Sequence, residues 1–366
     1  MRGFMEYITY VCLFVAALAA LDRIFGNRFG LGEELEKGIE TVGALSLSMA
    51  GMLVLAPFLS QLLGKLSGVF PSFLDFSIVP ACFLANDMGA AHLATQLAGD
   101  AQIGAFNGLI VSSMMGCTVS FTIPFALQKT PKDRHSDVIF GILCGMIAIP
   151  VGCLLSGLMC SLPVVQLLVD LIPLFLFVAL IAVGILFFEK ITIKIFLGFA
   201  WIIRAVITFG LFVGIVEFAT GKALLPQMET LGNAMDVIIN IICIMAGAFP
   251  LLSLIKKALR KVFDKLGKKL GINETAAFGL LATCGSSVNT FEIQDQMDRK
   301  GLVLNAAFAV GASFVFVDHL AFTMVFNSQY VPAMVVGKLV TGVVGVVLAF
   351  VFYNRRQKKN ARLTEV

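Results

Sequence analysis

The chain alternates long apolar stretches with short polar connections, and this alternation constrains its fold more than any other feature. A helix needs about 20 predominantly apolar residues to cross the hydrocarbon of a bilayer. Lipid supplies no hydrogen-bond partners, so such stretches must satisfy their own backbone as helices. The pattern predicts an all-α polytopic membrane protein. We place eleven segments at residues 4–24, 39–63, 73–98, 103–128, 136–160, 163–188, 194–217, 232–255, 272–291, 301–326 and 331–353.

Composition supports this fold class and excludes several functions. Hydrophobic residues make up 58% of the chain and charged residues 14%, whereas soluble domains have about 25% charged residues. The net charge is only +4, and its basic residues form short clusters between apolar segments, so we expect contact with membrane lipid and no nucleic-acid partner. The eight cysteines are not paired at metal or redox spacing, and the three histidines are far apart. We therefore expect no metal site and no cofactor.

Two of the eleven segments are interrupted by polar and small residues. The third contains Asn86-Asp87-Met88-Gly89, and the ninth contains Cys284-Gly285-Ser286-Ser287-Val288-Asn289-Thr290. Non-helical backbone at membrane depth is tolerated only where protein or a water-filled cavity satisfies it. We therefore expect two broken or re-entrant helices, and about 9 to 11 membrane segments in all.

The two halves of the chain repeat one another at an offset of about 195 residues. This predicts a first repeat at 1–162, a linking transmembrane helix at 163–193, a second repeat at 194–353 and a basic cytoplasmic tail at 354–366. The anchors pair Asp22 and Gly26 with Glu217 and Gly221, Ala50-Gly51 with Ala246-Gly247, Leu84-Ala85 with Leu281-Ala282, and Gly116 and Phe121 with Gly311 and Phe316.

The basic clusters predict the orientation of the repeats. Seven basic residues between Lys256 and Gly271 should remain on the cytoplasmic side, and so should Arg355, Arg356, Lys358 and Lys359 in the tail. Eleven full crossings would separate these clusters, whereas nine crossings with two re-entrant segments keep them together. The amino terminus is then outside, the carboxyl terminus inside, and the repeats are inverted, as in many secondary transporters.

The first broken segment is the strongest candidate for a substrate site. An Asp at the centre of an inserted helix costs about 2.5 to 3.5 kcal/mol, so intramembrane carboxylates usually have a function. We expect Asn86, Asp87 and Gly89 to belong to the substrate-binding site, where Asp87 attracts a cationic group and Asn86 adds hydrogen bonds. The alternative is that Asp87 caps a half-helix and pairs with a buried base.

The second half offers neutral and ionisable partners. Ser286, Ser287 and Asn289 in the ninth segment are either hydrogen-bond partners of the substrate or part of a polar loop. Asp318-His319 in the tenth segment either contacts the substrate or forms a structural pair. Arg204 in the seventh segment either neutralises Asp87 or extends to the membrane interface, and we favour the interface.

At these residues the sequence resembles the bacterial ethanolamine permease family, EutH. The resemblance runs through Leu21-Asp22-Arg23-Ile24-Phe25-Gly26, the stretch from Gly30 to Pro57, Ala85-Asn86-Asp87-Met88-Gly89, the stretch from Gly116 to Pro124, Gln296-Met297-Asp298-Arg299-Lys300-Gly301 and the stretch from Ala307 to His319. It implies uptake of ethanolamine through the bacterial plasma membrane. Members often have Gly-Gly where Gly89-Ala90 stands, and differ at Thr283–Ser287, so a related amine stays open as the substrate.

Three functions remain open from the sequence. The first is a permease or facilitator for ethanolamine, in which Asp87 recognises the ammonium group. The second is an ion- or proton-coupled symporter of another small amine or amino acid. The third is an intramembrane enzyme using Asp318-His319, which the absence of a nucleophile-base pair in the sequence disfavours. The sequence leaves the oligomeric state open, a homo-oligomer included.

Overall fold

The computed structural model describes residues 2–71 and 73–364, and every regular element in these ranges is helical. This confirms the predicted all-α class. The α-helices are α1 (Arg2–Ile24), α2 (Leu31–Leu45), α3 (Gly51–Gly64), α4 (Ile78–Phe83), α5 (Ala90–Leu97), α6 (Ala101–Phe106), α7 (Ile123–Lys129), α8 (His135–Met159), α9 (Val164–Asp170), α10 (Ile172–Thr220), α11 (Leu231–Leu270), α12 (Glu274–Thr283), α13 (Ser287–Glu292), α14 (Arg299–Ala312), α15 (Asp318–Asn327) and α16 (Val331–Thr364).

Several of these helices join into longer continuous stretches. A π-helical turn at Ser46–Ala50 connects α2 to α3, and π-helical turns at Asn107–Gly116 and Thr118–Thr122 connect α6 to α7. Helix α10 is kinked at Phe188, which has non-helical backbone angles. Seven helical stretches in the described part of the chain are long and apolar enough to cross a membrane: Leu31–Val69, Ala101–Lys129, Lys132–Met159, Val164–Gly184, Lys190–Thr220, Leu231–Leu270 and Asp318–Gln357.

Three of the predicted membrane segments are divided by a non-helical turn in the described part of the chain, one more than the sequence predicts. The third segment breaks between α4 and α5, and the ninth between α12 and α13, as expected from their polar residues. The prediction of one uninterrupted tenth segment at 301–326 is wrong, because that segment divides into α14 and α15 around Ser313–Val317. This third break is mostly apolar in sequence, and contacts with the ninth segment account for it.

Two groups of helices build the core around the breaks. In one, α8, α14 and α16 pack against each other more extensively than any other trio. In the other, α11 packs against α1 and α2, while α3 packs against α10. Elements from the two halves of the chain are thus neighbours in both groups.

A close approach of backbones positions the first break. An added Cβ on Gly116 would lie 1.8 Å from the carbonyl oxygen of Leu84 and 2.7 Å from that of Ala81. Small residues allow membrane helices to approach in this way. Gly116 therefore lets the π-helical stretch contact the carboxyl end of α4, where the polar break begins.

We expect Gly116→Ala to reduce stability by about 1 to 3 kcal/mol, because the methyl group must displace backbone atoms of α4. The matched control is Gly43→Ala in α2, where an added Cβ has no atom within 4 Å. This control should be neutral or stabilising by up to about 1 kcal/mol. Thermal unfolding of both variants in detergent measures the difference, and equal effects would contradict the close approach.

Candidate functional site

The first break is a short turn between α4 and α5. Leu84 and Ala85 are extended, Asn86–Met88 form one turn of 3₁₀-helix, and Gly89 follows with a φ of 98°. The carbonyl of Ala85 accepts hydrogen bonds from the backbone of Met88 at 3.0 Å and Ala90 at 3.2 Å. Gly89 is required here, because its φ is left-handed and an added Cβ would collide with the Met52 side chain.

This turn presents polar side chains that lack partners among the described residues. Asn86 is fully buried, and neither its amide nitrogen nor its amide oxygen has a hydrogen-bond partner there. The Oδ1 atom of Asp87 also has none, and lies 4.0 Å from Nε2 of His319. The Asp87 side chain keeps 17% of its surface accessible. Buried polar groups usually have partners, so these unpartnered atoms mark the turn as the candidate binding site.

The sequence-predicted pair Asp318-His319 lies at the start of α15, facing this turn. His319 is buried, and its ring approaches the Asp87 carboxylate. Asp318 is half-buried and lies within range of the Asp87 charge. The structure therefore brings Asn86, Asp87, Asp318 and His319 into one site from opposite halves of the chain.

A buried lysine, which the sequence reasoning missed, neighbours this site. Lys338 of α16 is fully buried, and its Nζ donates a hydrogen bond of 2.6 Å to the carbonyl of Ser113. Its charge lies within range of Asp87. The signal in the sequence was a single lysine inside an apolar segment, where Lys costs about as much as Asp. Arg204, in contrast, is exposed on α10, in agreement with an interfacial position.

The third break connects the ninth segment to this site through backbone hydrogen bonds. The N–H of Phe314 donates to the carbonyl of Thr283 at 3.2 Å, and the N–H of Phe316 donates to that of Cys284 at 3.0 Å. Phe314 has a φ of 61°, which is rare and strained for a bulky residue. Strain of this kind is retained only where surrounding contacts enforce it, and it is concentrated at functional sites.

Aromatic rings form one wall of the site. The centroid of the Phe314 ring lies 5.5 Å from that of His319 and 5.4 Å from that of Phe121. Phe314 and Phe121 also pack with Ala85 and Met88, which flank the polar turn. An aromatic face beside a carboxylate suits an ammonium group, because the ring quadrupole and the negative charge both attract a cation.

The residues predicted in the ninth segment have different positions. Ser286 caps α13 by accepting a hydrogen bond from the backbone of Val288 at 3.2 Å. Ser287 is fully buried, and its hydroxyl has no partner among the described residues. Asn289 is exposed. The hydrogen bonds of the described residues do not join these three side chains to Asp87, and their role in substrate binding stays a prediction.

The side chains of the candidate site determine which ligands it could bind. Within the described ranges, no group of three or more His, Cys, Asp or Glu side chains is arranged to hold a metal ion. What the site offers is a carboxylate, a carboxamide, an imidazole and aromatic faces. Groups of these kinds can bind a small organic cation through charge, hydrogen bonds and cation–π contacts.

A buried charged site among broken, membrane-length helices defines the class: a polytopic helical membrane protein. The family described as Ethanolamine utilisation protein, EutH, matches residues 4–352. The chain belongs to this family, and the resemblance indicated by its motifs is confirmed.

The relatives are similar over almost their whole length. The probable ethanolamine permease EutH of Listeria monocytogenes is 40% identical, over 97% of this chain and 96% of that protein. The protein of the same name from Salmonella typhimurium is 35% identical, over 95% of each chain. The uncharacterized protein YxeR of Bacillus subtilis is 35% identical, over 88% of each. No solved structure matches the chain.

The charges of Lys338 and Asp87 lie within range of each other, with no direct ion pair between them, so we expect the two positions to be energetically coupled. We expect Lys338→Met alone to destabilise the protein by about 1 to 3 kcal/mol, because it leaves the buried carbonyl of Ser113 without its donor and removes a cation that offsets the Asp87 charge. Combining it with Asp87→Asn should recover part of this loss. Thermal unfolding of the single and double variants completes the cycle, with Lys222→Met, at an exposed position, as the control. Additive effects would contradict the coupling.

Proposed function

We propose that this chain carries ethanolamine across the bacterial plasma membrane as a permease or facilitator. The observation that supports this most is Asp87, a partly accessible carboxylate at a helix break, beside buried polar atoms without partners and an aromatic wall. Two of the relatives are named probable ethanolamine permeases, and ethanolamine carries the ammonium and hydroxyl groups that such a site recognises.

The binding mode follows from the chemistry of each side chain. The ammonium group lies against the Asp87 carboxylate and the face of Phe314, and the hydroxyl bonds to the amide of Asn86. His319 faces the same carboxylate at 4.0 Å and accepts or donates a hydrogen bond according to its tautomer. Ser286, Ser287, Asn289 and Asp318 are proposed to contribute in a state of the transport cycle in which the second half closes on the substrate.

Lys338 favours release of the substrate, because its positive charge also interacts with Asp87. Without substrate, the lysine cation compensates the charge of Asp87 through the low-dielectric interior. When the substrate ammonium binds, it takes over this compensation, so the two cations compete for one carboxylate. Competition of this kind keeps the affinity moderate, which a transporter needs in order to release its substrate on the second side.

Paired local features support an architecture of two repeats. Gly26 and Gly221, aligned at the offset of 195, both have left-handed backbone, with φ of 90° and 71°. The acidic residues Asp22 and Glu217, aligned at the same offset, make equivalent hydrogen bonds. Asp22 accepts from the N–H of Leu31 at 2.8 Å, and Glu217 accepts from the N–H of Leu231 at 3.4 Å. In each half the next helix begins at that leucine. We propose that these repeats are inverted.

The inverted arrangement predicts that the basic extension of α11 is cytoplasmic. A reporter that reads sidedness, inserted beside Asp264, should therefore read as cytoplasmic, because seven nearby basic residues resist translocation. A second reporter in the connection at 222–230 should read as outside. An extracellular signal near Asp264 would contradict the proposed topology and the inverted repeats with it.

A second candidate is proton-coupled symport, and the cluster of ionisable groups favours it. Asp318, His319 and Lys338 all neighbour Asp87, and chains of such residues relay protons in pumps and transporters. An uncoupler separates the two mechanisms. A facilitator continues to equilibrate ethanolamine after the proton gradient is dissipated, whereas a symporter loses accumulation against the concentration gradient.

Asp87→Asn should abolish uptake of radiolabelled ethanolamine at concentrations below half-saturation. Truncating one partner of a buried charge pair costs about 2 to 5 kcal/mol, which corresponds to a loss of about 30-fold or more. Uptake is measured in cells expressing the chain, alongside the amount of protein in the membrane, and is competed with a panel of amines.

The matched control for this variant is Asp264→Asn, an identical chemical change at an exposed position of α11. It should leave uptake unchanged. If Asp87→Asn reached the membrane in normal amounts and transported ethanolamine at the rate of the unsubstituted chain, Asp87 would have no role in recognition.

A further inference from the structure

A cavity lined by acidic residues lies at the other end of α4 from the Asp87 turn. Its volume is about 340 Å³, and it opens between the start of α6 and the end of α9. Three carboxylates line it, together with polar and aromatic side chains that include Ser67, Phe70 and Gln166. The carboxylates are Asp75, Asp100 and Asp170.

Two of these carboxylates accept hydrogen bonds from backbone N–H groups. Asp75 accepts hydrogen bonds from the N–H of Ser77 at 2.9 Å and of Gly99 at 3.0 Å. Asp100 caps α6 by accepting from Gln102 and Ile103. Both acids therefore shape the rim of the cavity, and both add negative charge to it.

The third carboxylate, Asp170, is different. It is 3% exposed, although it lines the cavity. Its Oδ1 accepts a hydrogen bond from the amide of Asn107 at 3.0 Å, while its Oδ2 has no partner among the described residues. No described Lys, Arg or His side chain lies within 4.0 Å of it. A buried carboxyl group with an unpartnered oxygen and no countercharge is stabilised either by a proton or by a bound cation, so Asp170 is a candidate ligand for a cation.

The hydrogen bonds of Asn107 connect this acid to the start of α4, the helix that leads to the Asp87 turn. The Asn107 amide also donates to the hydroxyl of Ser77 at 2.9 Å, and Ser77 immediately precedes α4. Helix α4 has six residues and therefore spans about 9 Å at a rise of 1.5 Å per residue. Its other end leads directly into the turn that carries Asp87.

We propose that this cavity is an outer binding station for a small primary ammonium ion, with Asp170 as its anionic ligand. The proposal rests on the proposed function for the identity of the cation and on the proposed topology for the outer side. The three carboxylates raise the local concentration of cations at the entrance, because a cleft lined by one sign of charge attracts the opposite sign. The substrate then passes along α4 to Asp87.

The kinetic test uses Asp170→Asn in cells expressing the full chain. Half-saturation for ethanolamine uptake should rise about tenfold, as expected for the loss of one charge-assisted hydrogen bond, while the maximal rate stays within about twofold because Asp87 is intact. The control is Asp236→Asn, at an exposed position near the start of α11, which should change neither value. An unchanged half-saturation for Asp170→Asn would overturn the proposal.

A second measurement does not depend on transport. Gln166→Cys places a thiol on the cavity rim, and its labelling by membrane-impermeant reagents is compared with that of the unsubstituted chain. A cationic reagent should react faster than an anionic one of the same size, and ethanolamine should slow the reaction. Adding Asp170→Asn to this variant should remove the protection.

The outcomes separate this site from the proposed function. Protection by ethanolamine that disappears with Asp170→Asn would support the outer station. If the chain nevertheless transported no ethanolamine, only the proposed function would be refuted. Equal labelling by the two reagents, or protection by sodium ions with none by ethanolamine, would overturn the station. Normal uptake with neither a kinetic change nor protection would leave the transport proposal in place and remove the station.

Discussion

The polar site depends on how the broken helices satisfy their backbone inside hydrocarbon. A break frees N–H and carbonyl groups that lipid cannot pair, at several kcal/mol each. Two of the three breaks satisfy one another, because Phe314 and Phe316 donate to the carbonyls of Thr283 and Cys284. This pairing fixes the start of α15 and with it His319, which then lies opposite Asp87.

Charge is concentrated where the backbone is already irregular. Asp87 lies on a 3₁₀ turn, Asp318 and His319 follow the third break, and Lys338 donates to a carbonyl of the π-helical stretch at Ser113. Each of these charges would be costly on a lipid-facing helix. In the interior, the Lys338 cation offsets the carboxylate charge of Asp87, and several polar atoms keep no partner among the described residues. We propose that the irregular backbone of the breaks thereby creates a site for a cation.

The sequence predicted the parts of this arrangement that have a local cause. Asn86-Asp87-Met88-Gly89 marks a break because Gly89 adopts a left-handed φ and the polar residues before it cannot face lipid. The break at Ser313–Val317 has no such signal, because pairing with the ninth segment causes it. The sequence does contain a signal for Lys338, because a single lysine inside an apolar segment is costly and indicates a buried functional or structural role. The meeting of α4 and α15 is tertiary and was not predictable from one sequence.

The most direct measurement of the central claim is an experimental structure of the protein with ethanolamine bound. The account predicts the ammonium nitrogen about 2.7 to 2.9 Å from a carboxylate oxygen of Asp87, the distance of a charge-assisted hydrogen bond, with the Phe314 ring beside it. Ethanolamine bound elsewhere at saturation, with Asp87 still facing only protein groups, would contradict the account.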